Sequence, residues 1–307
     1  MKVYHGITDF EPIANAIVTS GTFDGVHLGH QKILARLREI TTANAGESVV
    51  ITFWPHPRTV VSSDSSNLKL LSTIDEKIEL LAKNGVQHLL IIPFTRQFSE
   101  LSSEDFIQQI LIDAIGTKKL VIGYDHRFGR DREGGFEYLQ ANSLRYGFGI
   151  EEIPRQDVDA MGVSSSKIRL ALLEGNLQTA TSLLGRAYSL SGTVVKGKQL
   201  GRTIGYPTAN ILPEESYKLV PANGVYAVRV VHRHEVFGGM LNIGTRPTVD
   251  GTLRTIEANI FDFERDIYGE HLTVEFVSYI RSEQKFSGLD SLKAQLALDQ
   301  QTALGLL

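Results

Sequence analysis

Between Ala16 and Ile153 the sequence repeatedly switches period. Short β-rich runs at Ala16–Ser20, Val49–Phe53, Leu89–Phe94, Lys119–Gly123 and Gly149–Ile153 are separated by segments of helical spacing. Strands alternating with helices predict an α/β domain, a Rossmann-like parallel sheet covered by helices. In Gln31–Asn44, Ile33, Leu34, Leu37 and Ile40 fall on one helical face. Thr73 with Glu76 reads as a capping box opening the next helix, and Gly85 is placed to end it. Ser102 and Asp105, followed by Phe106, Ile107, Ile110, Leu111 and Ile115, predict a third helix closed by Gly116.

Two more helical stretches, Ser164–Glu174 and Leu177–Leu184, lead to a change of texture at Tyr188. From there alternating strands are expected at Leu190–Val195, Val225–Val231, Val236–Ile243, Thr255–Phe261 and Leu272–Ile280, with turns at 232–235 and 262–269 between them. This half reads as an all-β antiparallel barrel or sandwich, followed by a C-terminal helix over Leu289–Leu298. The 307 residues, 42% of them apolar, are enough for two cores. The expected domains are 1–185 and 186–307.

Composition removes several classes of function. With 31 Lys and Arg against 35 Asp and Glu, the chain offers no broad positive face for nucleic acid. With no cysteine it has no disulfide, thiolate zinc site, iron–sulfur cluster or cysteine nucleophile. Its longest apolar runs fall far below the ~18 residues of a membrane helix. The start, MKVYHGITDF, has no signal-peptide pattern, which makes the cytoplasm the expected compartment.

The stretch GTFDGVHLGH, Gly21–His30, lies between the first strand and the first helix. A glycine-rich turn feeding a helix N-terminus presents unpaired N–H groups to a phosphate. Gly21, Gly25 and Gly29 permit close approach of the backbone, and Phe23 and Asp24 share the turn. His27 and His30, three residues apart, are placed to donate to charge building on phosphate oxygens. A metal pair is the competing reading. It lacks a carboxylate or thiolate neighbour, and His56 is held between two prolines.

His27–His30 matches in full the His-x-Gly-His signature of nucleotidyltransferases, which transfer AMP or CMP from a nucleoside triphosphate. Together with TFWPHP (52–57), GYDHRFG (123–129) and SSSKIR (164–169), it resembles the adenylyltransferase domain of bacterial bifunctional riboflavin kinase/FAD synthetases. The resemblance implies that Ser164, Ser165, Ser166 and Arg169 close over the triphosphate. Ser164 alone would suit a helix cap, and Arg169 supplies a fixed positive fork. Asp125 suits a ribose hydroxyl, Mg²⁺ or a pair with Arg127. Phe53, Pro55 and Pro57 are the expected apolar wall for a flavin ring.

GTVVKGKQ (192–199) is most of a phosphate-binding loop, but Gln199 stands where Ser or Thr should bind Mg²⁺ and TVV reads as strand. Continued through GRTIGYPTANI (201–211), it resembles the riboflavin kinase motif. That resemblance implies a nucleotide-covering loop containing Gly192, Gly197, Lys198, Gly201 and Gly205, and Mg²⁺ on Thr208 and Asn210. Two oxygen donors at i and i+2 suit a hard cation that keeps several waters. The family's base is the glutamate before the strand reading EANIFDF, which makes Glu257 the candidate. NIGTRPTV (242–249), IYGE (267–270) and YIRSEQKF (279–286) follow in the family order, and Arg281 is expected near the flavin or nucleotide. Three positions depart from the pattern: Asn259 where many relatives have histidine, Ala187 for a common proline, and His126 at a position often aromatic.

The resemblance implies a bifunctional enzyme that phosphorylates riboflavin with ATP to FMN and then adenylylates FMN to FAD. Its expected cofactor is Mg²⁺, and its expected state a monomer or weak homo-oligomer. Retention of only one activity, or a flavin-sensing module without turnover, are the competing readings.

Overall fold

The computed structural model describes residues 1–62, 68–124, 126–154, 162–197, 199–248 and 251–307. Asp125 and Lys198, both expected at nucleotide sites, lie outside the described residues. By its internal contacts the chain divides into two units, Met1–Ser165 and Ser166–Leu307.

The first unit is built on six parallel strands: β1 (Lys2–His5), β2 (Ala16–Ser20), β3 (Glu47–Trp54), β4 (His88–Pro93), β5 (Thr117–Gly123) and β6 (Gly149–Ile153). Their order across the sheet is β1-β4-β3-β2-β5-β6. Alternation of side chains sends Val18, Val49, Ile51, Leu90, Leu120 and Ile122 into one core and Ile17, Val50, Leu89, Ile91 and Val121 into another. Both faces are covered, so these strands read as continuous apolar runs. Helices Leu28–Ala43 and Ile74–Lys83 contribute Leu34, Leu37, Ile40 and Leu81 to the second core. The predicted capping box forms in full, with Thr73 Oγ1 accepting the Glu76 N–H and Glu76 Oε2 accepting the Thr73 N–H.

Several elements of this unit differ from the sequence expectation. Strand β1 and the helix Phe136–Tyr146 were not predicted, and the third helix departs from α geometry. Ser102 caps a short α turn, Ser103–Asp105, that continues as a π-helix over Phe106–Ala114. Phe106, Ile107, Ile110 and Leu111 nevertheless enter the core as their spacing suggested.

The second unit is a closed antiparallel barrel. Its strands are β7 (Tyr188–Val195), β8 (Ala209–Pro213), β9 (Gly224–His232), β10 (Glu235–Thr248), β11 (Gly251–Ile260) and β12 (His271–Arg281), in the order β10-β11-β8-β7-β12-β9. Pairing of β9 with β10 closes the ring and leaves no sheet edge exposed. The C-terminal helix runs Leu289–Leu306, longer than predicted, and Ala303, Leu296 and Leu307 pack against Met240 and Phe261 of the barrel wall.

Candidate active sites

In the parallel sheet, the chain leaves β2 toward β3 and β4 and later crosses to β5 on the other side of β2. The direction of winding therefore reverses between β2 and β5, and open α/β sheets bind ligands beyond the carboxyl ends of strands at such a point. Gly21–His27 follows β2, and GYDHRFG begins at the last residue of β5. The two loops meet there: Ser20 Oγ and His126 Nε2 are 2.7 Å apart. Burial pushes His126 down to about 4, so the ring is neutral, and its buried Nδ1 has no hydrogen-bond partner among the described residues.

The glycine turn is wound through left-handed backbone at Phe23, Gly25 and Val26, with φ of 46°, 76° and 38°. Such geometry in two non-glycine residues is held only where the surroundings impose it. Here burial imposes it, because Phe23 and Val26 are both core residues. Phe23 was expected beside a nucleotide; its side chain instead packs inside, its ring centroid 5.0 Å from that of His30. Asp24 is also turned inward. Its carboxylate accepts the N–H groups of Leu71 (2.9 Å) and Ser72 (3.2 Å), while Ser72 Oγ accepts the Gly25 N–H. Both side chains thus shape the turn from behind, and neither is displayed to a ligand.

His27 is the N-cap of helix Leu28–Ala43, and its Nδ1 accepts the His30 N–H at 3.4 Å. A neutral imidazole that accepts at Nδ1 carries its proton on Nε2. The two rings stack 3.7 Å apart. Burial, then His27, then the buried Lys77 ammonium hold His30 well below the ordinary histidine range. Gly29 is buried in the first turn of the helix. Of the serine-rich segment, Ser165 Oγ donates to the Asp24 carbonyl at 3.1 Å, tying residue 165 to the glycine turn across 141 positions. Helix Ser165–Leu173 straddles the division between the units, with Ser164 just before it and Ser166 and Arg169 on its far side.

His56 caps the helix Pro57–Val61 through Nδ1, and no group of three His, Asp or Glu among the described residues is placed to hold a metal ion. Phe53 and Pro57 are half-buried and Pro55 is exposed. Phe53 begins a chain of aromatic contacts that the sequence reading missed. It meets Phe94 and Phe98, Phe98 meets Phe106, Phe106 meets Phe128, and Phe128 meets His126, with centroids 5.2–6.3 Å apart. Members of this chain are up to 75 residues apart in sequence, so only the sheet brings them together.

In the barrel, Glu257 of β11 and Asn210 of β8 are directly paired. Thr208 Oγ1 is 3.5 Å from Glu257 Oε2, so the three expected kinase residues are neighbours. Asn259, two residues along β11, donates from Nδ2 to the Pro207 carbonyl at 2.7 Å. An open cavity reaches Thr208 and is also lined by Val194, Gln199, Arg202, Arg265 and Tyr268. Glu257 is not part of that lining.

The glycines of this half serve different ends. A Cβ on Gly197 would overlap the Asn210 carboxamide, and one on Gly201 would overlap the Tyr206 carbonyl. Gly205 takes a left-handed φ of 85° that favours glycine. Gly192 was expected in a nucleotide-covering loop but sits within β7, where the backbone of Leu212 in β8 leaves no room for a side chain. Arg281 is the last residue of β12. Its guanidinium is spent on Asp299 of the C-terminal helix, with Nε 2.9 Å from Oδ1 and Nη2 2.6 Å from Oδ2, and Nη1 donates to the Ser282 carbonyl.

The family model described as FAD synthetase matches residues 10–167, and the one described as riboflavin kinase matches residues 184–307. The chain is 40% identical over 306 residues to a bifunctional riboflavin kinase/FMN adenylyltransferase of Escherichia coli K12, covering 99% of this chain and 97% of that protein. It is 41% identical over 287 residues to the protein of the same description from Haemophilus influenzae, covering 93% and 92%. A crystal structure described as a macrolide-efflux protein from Streptococcus pneumoniae superposes with a TM-score of 0.89 at 32% identity, covering 99% of both chains. Among the described residues no helix is long and apolar enough to cross a membrane.

Proposed function

Given that this chain belongs to the bifunctional riboflavin kinase/FMN adenylyltransferase family, we propose how its residues divide the two reactions. The barrel phosphorylates riboflavin. Glu257 takes the proton of the ribityl hydroxyl as that oxygen attacks the γ-phosphorus of ATP, and the bond to the β-phosphate oxygen breaks to release ADP. The cavity reaches Thr208, whose hydroxyl lies 3.5 Å from Glu257 Oε2. Gly197, Lys198, Gly201 and Gly205 belong to the loop that covers the nucleotide.

Thr208 Oγ1 and Asn210 Oδ1, next to a carboxylate, are a hard oxygen set that fits Mg²⁺ with most of its waters retained. When bound, the ion neutralises charge on the transferring phosphoryl group.

The parallel-sheet unit adenylylates FMN. An FMN phosphate oxygen attacks the α-phosphorus of ATP in line, the bond to the β-phosphate oxygen breaks, and pyrophosphate leaves. His27 and His30 donate hydrogen bonds to the charge that develops, and the N–H groups of the Gly21–Gly29 turn bind phosphate. Ser164, Ser165, Ser166 and Arg169 close over the triphosphate, and Asp125 holds the ribose. Phe53, Pro55 and Pro57, extended by Phe94 and Phe98, form the wall for the flavin ring. Arg281 is given no flavin contact, since its donors hold Asp299. The working units are 1–185 and 186–307, acting in the cytoplasm as a monomer or weak homo-oligomer without nucleic acid.

The pairing of Glu257 with Asn210, beside Thr208, carries the kinase assignment. Chromatography of flavins after incubation with riboflavin, ATP and Mg²⁺, and again from FMN, tests the whole. FMN should precede FAD, and FMN alone should be converted. Saturable flavin binding with no product from either start contradicts the proposal.

A further inference from the structure

We propose that Asn259 is a positioning residue for phosphoryl transfer, its carboxamide bracing the Pro207 carbonyl so that Thr208 is held against Glu257. The inference rests on the kinase reading of Thr208 and Glu257 given above. The pairing of β11 with β8 stops just short of Thr208. The β11–β8 ladder consists of Glu257 with Asn210 and Ala258 with Ala209, and β8 begins at Ala209. Pro207 and Thr208 therefore lie just past the end of the ladder, where the side chain of Asn259 takes over. Proline has no N–H, so its carbonyl is the one backbone group through which residue 207 can be held by a hydrogen bond. Asn259 Nδ2 makes that bond at 2.7 Å.

Burial makes the brace specific. Asn259 is 7% exposed, and a carboxamide at that depth is costly to leave without a partner. Strand alternation puts Asn259 on the same side of β11 as Glu257. One strand thus supplies both the carboxylate and the group that fixes its neighbour. Tyr206, immediately before the proline, is held separately by its N–H to the Gly201 carbonyl. Residues 206 and 207 are then fixed on both sides of one peptide bond, and Thr208 follows with its hydroxyl 3.5 Å from Glu257. The chemistry needed at 259 is a hydrogen-bond donor, not an amide as such. A neutral imidazole also donates one N–H, so histidine should substitute, whereas leucine of similar size should not.

The test compares Asn259→Leu and Asn259→His in the full chain with three readouts. These are kcat for riboflavin phosphorylation, Mn²⁺ affinity of the ADP complex by electron paramagnetic resonance, and riboflavin affinity by fluorescence quenching. N259L should lower kcat and Mn²⁺ affinity each by about tenfold or more, the scale seen when a residue supporting a metal ligand is lost. Riboflavin affinity should not change, reporting an intact barrel, and N259H should restore the first two. Unchanged kcat and Mn²⁺ affinity in N259L would overturn the proposal, as would equal loss in N259L and N259H. Glu257→Gln, assayed alongside, separates the two levels. If it leaves phosphorylation intact, the kinase reading itself fails; if it abolishes phosphorylation while N259L is silent, only the brace fails.

Discussion

Glu257 and Asn210 face each other across the β11–β8 ladder, so a carboxylate and a carboxamide project from adjacent strands on one side of the barrel wall. Register alone fixes this, since a slip of one residue would send either side chain to the opposite face. The barrel's closure, with every strand paired on both sides, keeps that register from sliding.

Gly197 lies so close to the Asn210 carboxamide that an added Cβ would displace it. Gly197→Ala should therefore cut riboflavin phosphorylation by about tenfold or more and raise the Mg²⁺ needed for half-maximal rate. Adenylylation of FMN should keep its rate. Steady-state assays started from riboflavin and from FMN, each over a Mg²⁺ series, check both halves.

Lys77 is 2% exposed in the first turn of its helix, and burial lowers its ammonium to about 8 against a partial offset from Asp24. An unfolded lysine keeps its proton to about 10.4. Between these values the unfolded chain binds more protons, so the stability of the parallel-sheet unit should rise with pH from about 8 to 10.4. Below about 8 the cost of the buried charge is fully present. Lys77→Met should be more stable than the parent at pH 7 by about 1–3 kcal/mol, with the gap closing toward pH 10. Urea unfolding of both proteins across that range measures it.

Arg281 and Asp299 form a nearly dry pair, with the aspartate side chain 1% exposed. Removing one member leaves a buried charge unmatched, which costs about 3–5 kcal/mol. Asp299→Ala should lower the melting temperature of the barrel and loosen the Leu289–Leu306 helix. Hydrogen exchange should show faster labelling in that helix and no change in the Ile74–Lys83 helix.

The fold was legible wherever a period ran long enough. β2 and β6 begin and end at the predicted residues, and the Thr73–Glu76 box forms as read. Lys2–His5 and Ala209–Pro213 were missed because four or five residues with little alternation carry almost no signal, and the first of them pairs with β4, far along the chain. The motifs named candidate residues but did not say which way each side chain turns. Phe23 and Asp24 sit in the glycine turn, and only the core behind that turn shows that their side chains point inward. Arg281 had the right charge for a phosphate, but a carboxylate on the last helix claims it. The aromatic chain from Phe53 to Phe128 had no motif at all, since it is assembled from β3, two helices and the segments that follow β4 and β5.

Separate chemistry in the two units is the central claim, and single substitutions in the full chain test it most directly. Flavin products should be followed for Glu257→Ala and His30→Ala, each started from riboflavin and from FMN with ATP and Mg²⁺. Glu257→Ala should make no FMN from riboflavin yet convert FMN to FAD at nearly the parent rate, and His30→Ala should accumulate FMN from riboflavin and form little FAD. Loss of both activities in either folded variant would contradict the assignment.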